Sequence, residues 1–501
     1  MDVPKLTDMS ATSPALLLVA ATLSSAFVYT IGIGLYNVYL HPLHQYPGRK
    51  LWIAYRLPFV RSTLGGRLPY ELLAMHEQYG PVVRVAPDEL SYTDSRAWKD
   101  IYGHHGAGEF PKDPMEYSLP VNGVANILAA DRNTHGRYRR LLSHGFSEKG
   151  MREMQPHIQY YVNLLIERLK EHSRKGPQDM LQWYNWTTFD MIGDLAFGES
   201  FDCLENARTD PWIQAVFGNV KSVPFIGSLR RYGLDRLIQW ITPKRLLELR
   251  MQNYLRNVDK IERRIQKGTD RGDFWDNVLE KSDFEKGTGM TKQEMISNAS
   301  ILVLGGSETT ATLLSGTTYL LCTHAGVMKK LNAEVRSVFS DEDEIDLISV
   351  NKLDYMLAVL DESMRLYPPV PKQGCRKVPG KGAVICGRWV PGGTSVQAQQ
   401  YASNHVESNF HRPSEFLPQR WLGDPEFASD DRAARQPFSM GPRNCIGTNL
   451  AYAEMRLILA KVCFNFDLQL DERSQHWIEE QQIFGLWEKG PLCVRLTPVK
   501  R

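Results

Sequence analysis

Residues 437–466 read PFSMGPRNCIGTNLAYAEMRLILAKVCFNF. The stretch begins as a glycine- and proline-rich loop ending at Cys445-Ile446-Gly447. It continues as a helix whose apolar positions include Leu450, Ala453, Leu457, Leu459 and Val462. A cysteine at a helix N-terminus meets free backbone N–H groups and the positive end of the helix dipole. Both lower its pKa and favour the thiolate, the form that ligates a metal. Gly441 and Gly447 carry no Cβ, so the backbone beside the cysteine can approach a flat partner. Arg443 offers a guanidinium to an anionic group nearby. One thiolate with no neighbouring His or Cys is a poor zinc site, because zinc takes several protein ligands. It suits haem iron, whose porphyrin supplies the remaining nitrogens.

Working outward, residues 291–324 form a continuous helical pattern opened by a capping box, Thr291 with Glu294, and roughly 50 Å long. It carries Gly305-Gly306-Ser307-Glu308-Thr309-Thr310 at mid-length. Two mid-helix glycines cost about 1 kcal/mol each against alanine, so either something approaches the backbone there or the helix opens. Glu362 and Arg365 stand at i,i+3 on one helix face, where they can pair, and Pro368-Pro369 ends that helix. Phe416-Leu-Pro418-Gln-Arg420-Trp421 follows, and His135-Gly-Arg-Tyr-Arg139 lies far upstream. Further helical patterns cover 154–171, 186–197, 243–267 and 355–367. Strand alternation is confined to 82–85 and 90–92 near one end and to 383–385 and 493–496 near the other. These patterns imply one mostly α domain with a small β portion made from both ends of the chain.

The segment Phe438-Ser-Met-Gly441-Pro-Arg443-Asn-Cys445-Ile-Gly447 resembles the F-x-x-G-x-R-x-C-x-G loop of the cytochromes P-450 at each fixed position. The other motifs follow in that family's order. The resemblance implies the cytochrome P-450 fold, with haem b (iron protoporphyrin IX) bound through Cys445 as axial iron ligand and Arg443, Phe438 and Gly447 against the cofactor. It implies an oxygen-binding groove at Gly305–Thr310, with Thr309 and Glu308 as a proton relay. His135 stands where the family's W-x-x-x-R helix has Trp, a departure that still permits a hydrogen bond to a haem propionate. Arg139 and Arg376 are the further propionate partners it implies. Glu362, Arg365 and Arg420 would be structural, a buried charge network in which Gln419 replaces the commoner Glu. His41-Pro42-Leu43, Phe189–Asp194 and Asn449-Leu450-Ala451 look like the membrane-bound enzymes of fungal secondary metabolism.

Composition agrees with such a chain and excludes others. The 501 residues are 43% hydrophobic, enough for a large core, and 59 basic against 57 acidic residues leave a net charge of +2. Without a strong positive field, nucleic-acid binding loses its main electrostatic argument. Seven cysteines, an odd count with no C-x-x-C pair, speak against a disulfide scaffold or zinc ribbon and fit a reducing compartment. Mean hydropathy of −0.34 rules out a multi-spanning membrane protein. Residues 13–40, however, hold no Asp, Glu, Lys or Arg. About 20 apolar residues cross a bilayer, and this run is too long for a cleaved signal peptide and lacks its basic lead. Arg49, Lys50, Arg56, Arg61 and Arg67 follow it before the first acid, Glu71, which places the flank in the cytosol. The expected layout is a lumenal tail (1–12), a single-pass signal-anchor (13–38), a Pro-rich hinge (39–50) and a cytosolic catalytic domain (51–501), in the endoplasmic reticulum membrane.

The expected activity is insertion of one oxygen of O2 into a hydrophobic polyketide, terpenoid or alkaloid. Electrons would come from NADPH through cytochrome P-450 reductase, with cytochrome b5 as a further partner. Two alternatives stand beside it: a relative performing desaturation, rearrangement or peroxide-driven chemistry, and a membrane-anchored haem sensor or lipid-binding module. Glu308-Thr309 argues against any reading that needs no proton relay. By family position, substrate contacts are expected from 121–130, 212–226, 301–305, 370–374 and 483–486.

Overall fold

The computed structural model describes residues 14–104, 109–117, 120–217, 222–234, 237–238, 240 and 242–500. The expected lumenal tail lies outside them. Helix α1 (Pro14–Tyr39) takes up the acid-free run. The most apolar 18-residue window within Ala15–Tyr39 has a mean hydropathy of 2.0, and none of it is buried among the described residues. Its 26 residues measure about 39 Å, enough to cross a bilayer core. The end of α1 is packed against the helix Lys50–Ala54 and the residue after it. Gly34 leaves no room for a Cβ beside the Tyr55 ring, and Asn37 donates to the Ala54 carbonyl at 2.8 Å. The connecting turn is packed too: Leu43 and Tyr46 are buried, and the Tyr46 hydroxyl donates to the Trp389 carbonyl at 3.0 Å.

Five helices position the site. Helix α2 (Arg132–Leu142) is capped by Asp131, which accepts from the Asn133 and Thr134 N–H groups. Helix α3 (Met180–Phe197) starts six residues before the periodic pattern at 186, because the Asp179 side chain caps it. Buried on nearly every side, it has no polar stripe to set a period. Helix α4 (Lys292–Thr323) shows the expected capping box and runs unbroken through the glycine pair. It packs along α3: the Ser307 hydroxyl donates to the Thr188 carbonyl at 3.2 Å, and the Tyr184 and Thr318 hydroxyls meet at 2.8 Å. Helices α5 (Asp354–Leu366) and α6 (Thr448–Asn465) complete the group.

The early strands do pair with later ones, but the expected strands at 383–385 and 493–496 lie outside that sheet, the first in a hairpin with Arg388–Val390. Strands β1 (Val82–Ala86), β2 (Glu89–Tyr92), β3 (Arg376–Lys377) and β4 (Ser395–Ala398) form a sheet in the order β1-β2-β4-β3. β2 and β4 pair in parallel with Glu89 opposite Ser395. A second sheet pairs Cys493–Pro498 with Phe466–Leu470 and with Gln178–Asp179.

Candidate active site

A cavity of about 350 Å³ lies between the middle of α4 and the loop that precedes α6. Cys445 is exposed to it. His135, Arg139, Thr309, Phe438, Arg443, Cys445 and Gly447, all singled out from sequence, line it, and so do Gly305, Gly306 and Thr310 of the expected groove. Glu308 and Arg376 do not.

The cysteine loop is held by its own backbone. Cys445 N–H donates to the Phe438 carbonyl at 2.8 Å, and the Thr448 hydroxyl donates to the Cys445 carbonyl at 3.1 Å. Gly441 takes φ +75, and a Cβ there would strike the Tyr102 carbonyl, so this glycine serves loop packing rather than a flat partner. Gly447 does leave space: the nearest atoms to a Cβ would be Cys445 Sγ and Phe146, both at 3.9 Å. The Cys445 pKa is raised, not lowered as the helix-terminus argument expects. Burial is the largest influence, and the Gly447 N–H, Arg139 and the Thr448 hydroxyl only partly offset it. The helix proper begins at Thr448, so the cysteine sits short of its first turn.

Cations gather at one end of the cavity. Arg139 donates to the Asn444 carbonyl and to its side-chain oxygen at 2.6 Å, bracing the loop. Arg443 pairs with Glu109 at 2.7 Å and donates to the Ala130 carbonyl at 2.8 Å, so its charge is already met in part. His135 is buried, and burial followed by Arg443 pushes its pKa down to about 4. Its ring is therefore neutral and can donate one N–H. Arg376, in β3, sits over the Tyr102 ring at 5.3 Å, and its buried Nη1 has no partner among the described residues. Lys112, which the sequence did not single out, pairs its backbone with that of Arg376 in an antiparallel β-bridge and lines the cavity. Burial, then Arg376 and Arg443, push its pKa down to about 7.

The glycine pair in α4 divides its labour. A Cβ on Gly306 would press on Ile192 of α3 at 3.1 Å, a helix-packing contact. At Gly305 nothing lies within 4 Å, so this residue opens the groove. The Thr309 hydroxyl donates to the Gly305 carbonyl at 2.7 Å. Glu308 faces elsewhere: it is buried, its carboxylate is paired with the Lys489 ammonium, and the Thr312 hydroxyl lies at 3.4 Å.

Residues 46–493 match the sequence model of the cytochrome P-450 family. The chain is a cytochrome P-450. It is 54% identical over 483 residues to an averantin hydroxylase of Dothistroma septosporum, covering 95% of this chain and 91% of the relative. The cytochrome P-450 monooxygenase stcF of Emericella nidulans is 49% identical over 94% of this chain and 97% of its own length. A versicolorin B desaturase of Dothistroma septosporum is 44% identical over 95% and 92%. The protein is a haem-thiolate monooxygenase related to enzymes of fungal secondary metabolism.

The family implies haem, and the residues present fit it. The cavity has one exposed thiol, an open backbone at Gly305 and Gly447, and the cations Lys112, Arg139 and Arg443 on its wall, with the unpaired buried Arg376 Nη1 behind Lys112. Cys445 would ligate the iron, while His135, Arg139, Arg376 and Lys112 would face the acidic edge.

Below the cavity this cytochrome P-450 carries the expected charge network. Glu362, Arg365 and Arg420 are all fully buried. Arg365 grips Glu362 at 2.8 and 2.9 Å, and Arg420 Nε lies 3.3 Å from it. Two members went unforeseen: Asp430 pairs with Arg420, and the Trp421 indole donates to Glu362 at 2.9 Å. Burial would raise the Glu362 pKa, yet Arg365 and Arg420 hold it below the usual carboxylate value. Arg420→Ala leaves Glu362 and Asp430 buried beside lost charge, so chemical denaturation should show a loss of about 3–5 kcal/mol. The depressed pKa makes Glu362 stabilising above its unfolded value, about 4.3. That stabilisation fades as pH falls through the folded value, and Glu362→Gln should remove this part of the acid sensitivity.

Proposed function

We propose that this enzyme hydroxylates averantin or a molecule of the same chemical class, with electrons from NADPH delivered by cytochrome P-450 reductase and cytochrome b5 as an auxiliary donor. The observation that carries the substrate is the pair of averantin hydroxylases, 54% and 50% identical over 95% and 93% of this chain. The cavity agrees, since Ile127, Leu128, Ile301, Leu302, Leu313 and Val370 give it apolar walls. Bound haem would supply the activation of O2, its thiolate ligand favouring O–O cleavage. The chain's own residues hold the cofactor edge, exclude water from the apolar walls and hand protons to the groove at Thr309. Glu308 can join that relay as the acid only by leaving Lys489.

Purified enzyme with reductase, NADPH and averantin should yield a product heavier by one oxygen. Steady NADPH oxidation with averantin untouched would overturn the substrate. A product lighter by two hydrogens would instead assign desaturation, the chemistry named in the 44% identical desaturase.

We further propose that α1 anchors the enzyme in the endoplasmic reticulum with its catalytic domain in the cytosol. The basic flank supports this, although in the folded protein Arg49 pairs with Glu71 and Arg56 with Asp88 and Glu89. Glycan mapping is a poor test: Asn298 of the Asn298-Ala-Ser300 sequon is buried in α4, and Asn185 lies within α3. Protease added outside sealed microsomes should digest the catalytic domain. Protection until detergent is added would reverse the orientation.

A further inference from the structure

Residues 15–33 of α1 are exposed throughout, whereas Gly34 and Asn37, three apart on one face of the helix, are buried. Gly34 makes room for the Tyr55 ring, whose hydroxyl reaches back to donate to the Thr30 carbonyl at 3.0 Å. Asn37 is held from two sides. Its amide donates to the Ala54 carbonyl at 2.8 Å, and its own carbonyl accepts from Arg84 Nη1 at 2.7 Å. Arg84, in β1, is wholly buried, and its other nitrogens donate to the Pro87 carbonyl at 3.1 and 2.6 Å. A buried guanidinium needs every acceptor it can reach, so α1 satisfies a group inside the catalytic domain. The segment 39–50, expected as a hinge, thus joins two parts that already touch on either side of it.

The exposed run 15–33 rises about 29 Å, close to the roughly 30 Å of a bilayer core. Contact with the domain therefore begins one core thickness along the helix. Beside that point, Leu51 and Leu57 are 68% and 65% exposed, with Tyr55 between them tied to Thr30. Lys50 and Arg61, on the same two short helices, are exposed as well. Apolar side chains among cations suit the boundary between acyl chains and phosphates. We propose that α1 and the catalytic domain are one rigid body, locked through Gly34, Asn37 and Tyr55, which sets Leu51 and Leu57 into the lipid surface at a fixed depth. The inference rests on the reading of α1 as the membrane anchor. A domain on a free tether could take many tilts, whereas this junction permits one.

The test uses full-length holoenzyme in vesicles of phosphatidylcholine and phosphatidylserine. A photoreactive benzoylphenylalanine placed at residue 51 or 57 should form lipid adducts at least tenfold above one placed at the exposed Leu422, and one placed at residue 23, within α1, should do the same. Adducts at 23 with none at 51 or 57 would overturn the proposal and leave the anchor. No adducts at 23 would remove the anchor, and the proposal with it. Rigidity is read from heat resistance. Asn37→Ala, a change in the membrane helix, leaves the buried Ala54 carbonyl without its donor. It should shorten the half-life of the carbon-monoxide band on heating by about tenfold. Gly34→Val should do likewise by striking the Tyr55 ring, and Tyr55→Ala in the same chain should recover most of the loss. A tethered anchor predicts half-lives unchanged by both Asn37→Ala and Gly34→Val, and that result would overturn the rigid junction.

Discussion

Cys445→Ala is expected to abolish the strongly red-shifted Soret band that carbon monoxide gives with reduced, thiolate-bound haem, or to lose haem outright, and with it all monooxygenase activity. Cys445 is the cysteine that lines the cavity. Cys203, Cys375, Cys463 and Cys493 are buried at other places, and Cys322 and Cys386 are half-buried away from it. No group of three His, Cys, Asp or Glu side chains offers another metal site among the described residues. The raised pKa sharpens the argument. A thiol that the protein alone leaves protonated gains most from deprotonation when a cation binds it, so metal and thiolate charge should form together. The loop geometry does not depend on the sulfur, since the Cys445 N–H and carbonyl make its contacts. Cys445→Ala should therefore fold, and an intact far-ultraviolet circular dichroism spectrum would show that it has. A retained thiolate band in that protein would remove Cys445 from the iron.

What was legible in the sequence is what short spacing encodes. The cysteine loop, the Glu362–Arg365 pair and the capping box at Thr291 are each fixed within ten residues, and each stands where expected. Long-range partners were not legible: Lys489 reaches Glu308 across 181 positions, and Trp421 reaches Glu362 across 59. The direction of Glu308 could have been anticipated in part, because adjacent helical residues do not share a face. If Thr309 faces the groove, Glu308 faces elsewhere.

Pocket stretches assigned by family position fared unevenly. Ile127, Leu128, Ile301 and Val370 line the cavity. Trp212 instead stacks on Phe201 at 5.2 Å, and Phe484 lines a separate cavity with Pro69 and Gly227. Residues 218–221 of the expected stretch lie outside the described residues.

Thr309→Ala should leave NADPH consumption running while product per NADPH falls sharply, the missing electrons appearing as hydrogen peroxide. The structure makes the competing explanation concrete. Thr309 donates to the Gly305 carbonyl at 2.7 Å, as mid-helix threonines commonly do, and this bond alone could account for the residue. The two roles are compatible, however, because a hydroxyl that donates its one proton to a carbonyl keeps two lone pairs for accepting. Those lone pairs belong to a residue on the cavity wall, beside the one glycine of the pair that nothing covers. A purely local bond predicts a benign substitution, since alanine is the better helix former and Gly305 opens on space that can rehydrate its carbonyl. A relay predicts uncoupling with haem content and substrate affinity little changed, because Thr309 ligates no iron. Thr309→Ser separates the cases further: it restores the hydroxyl without the methyl group, so coupling should return. Unchanged coupling in Thr309→Ala would assign proton delivery to another hydroxyl, and Thr310, which lines the same wall, would be the next residue to change.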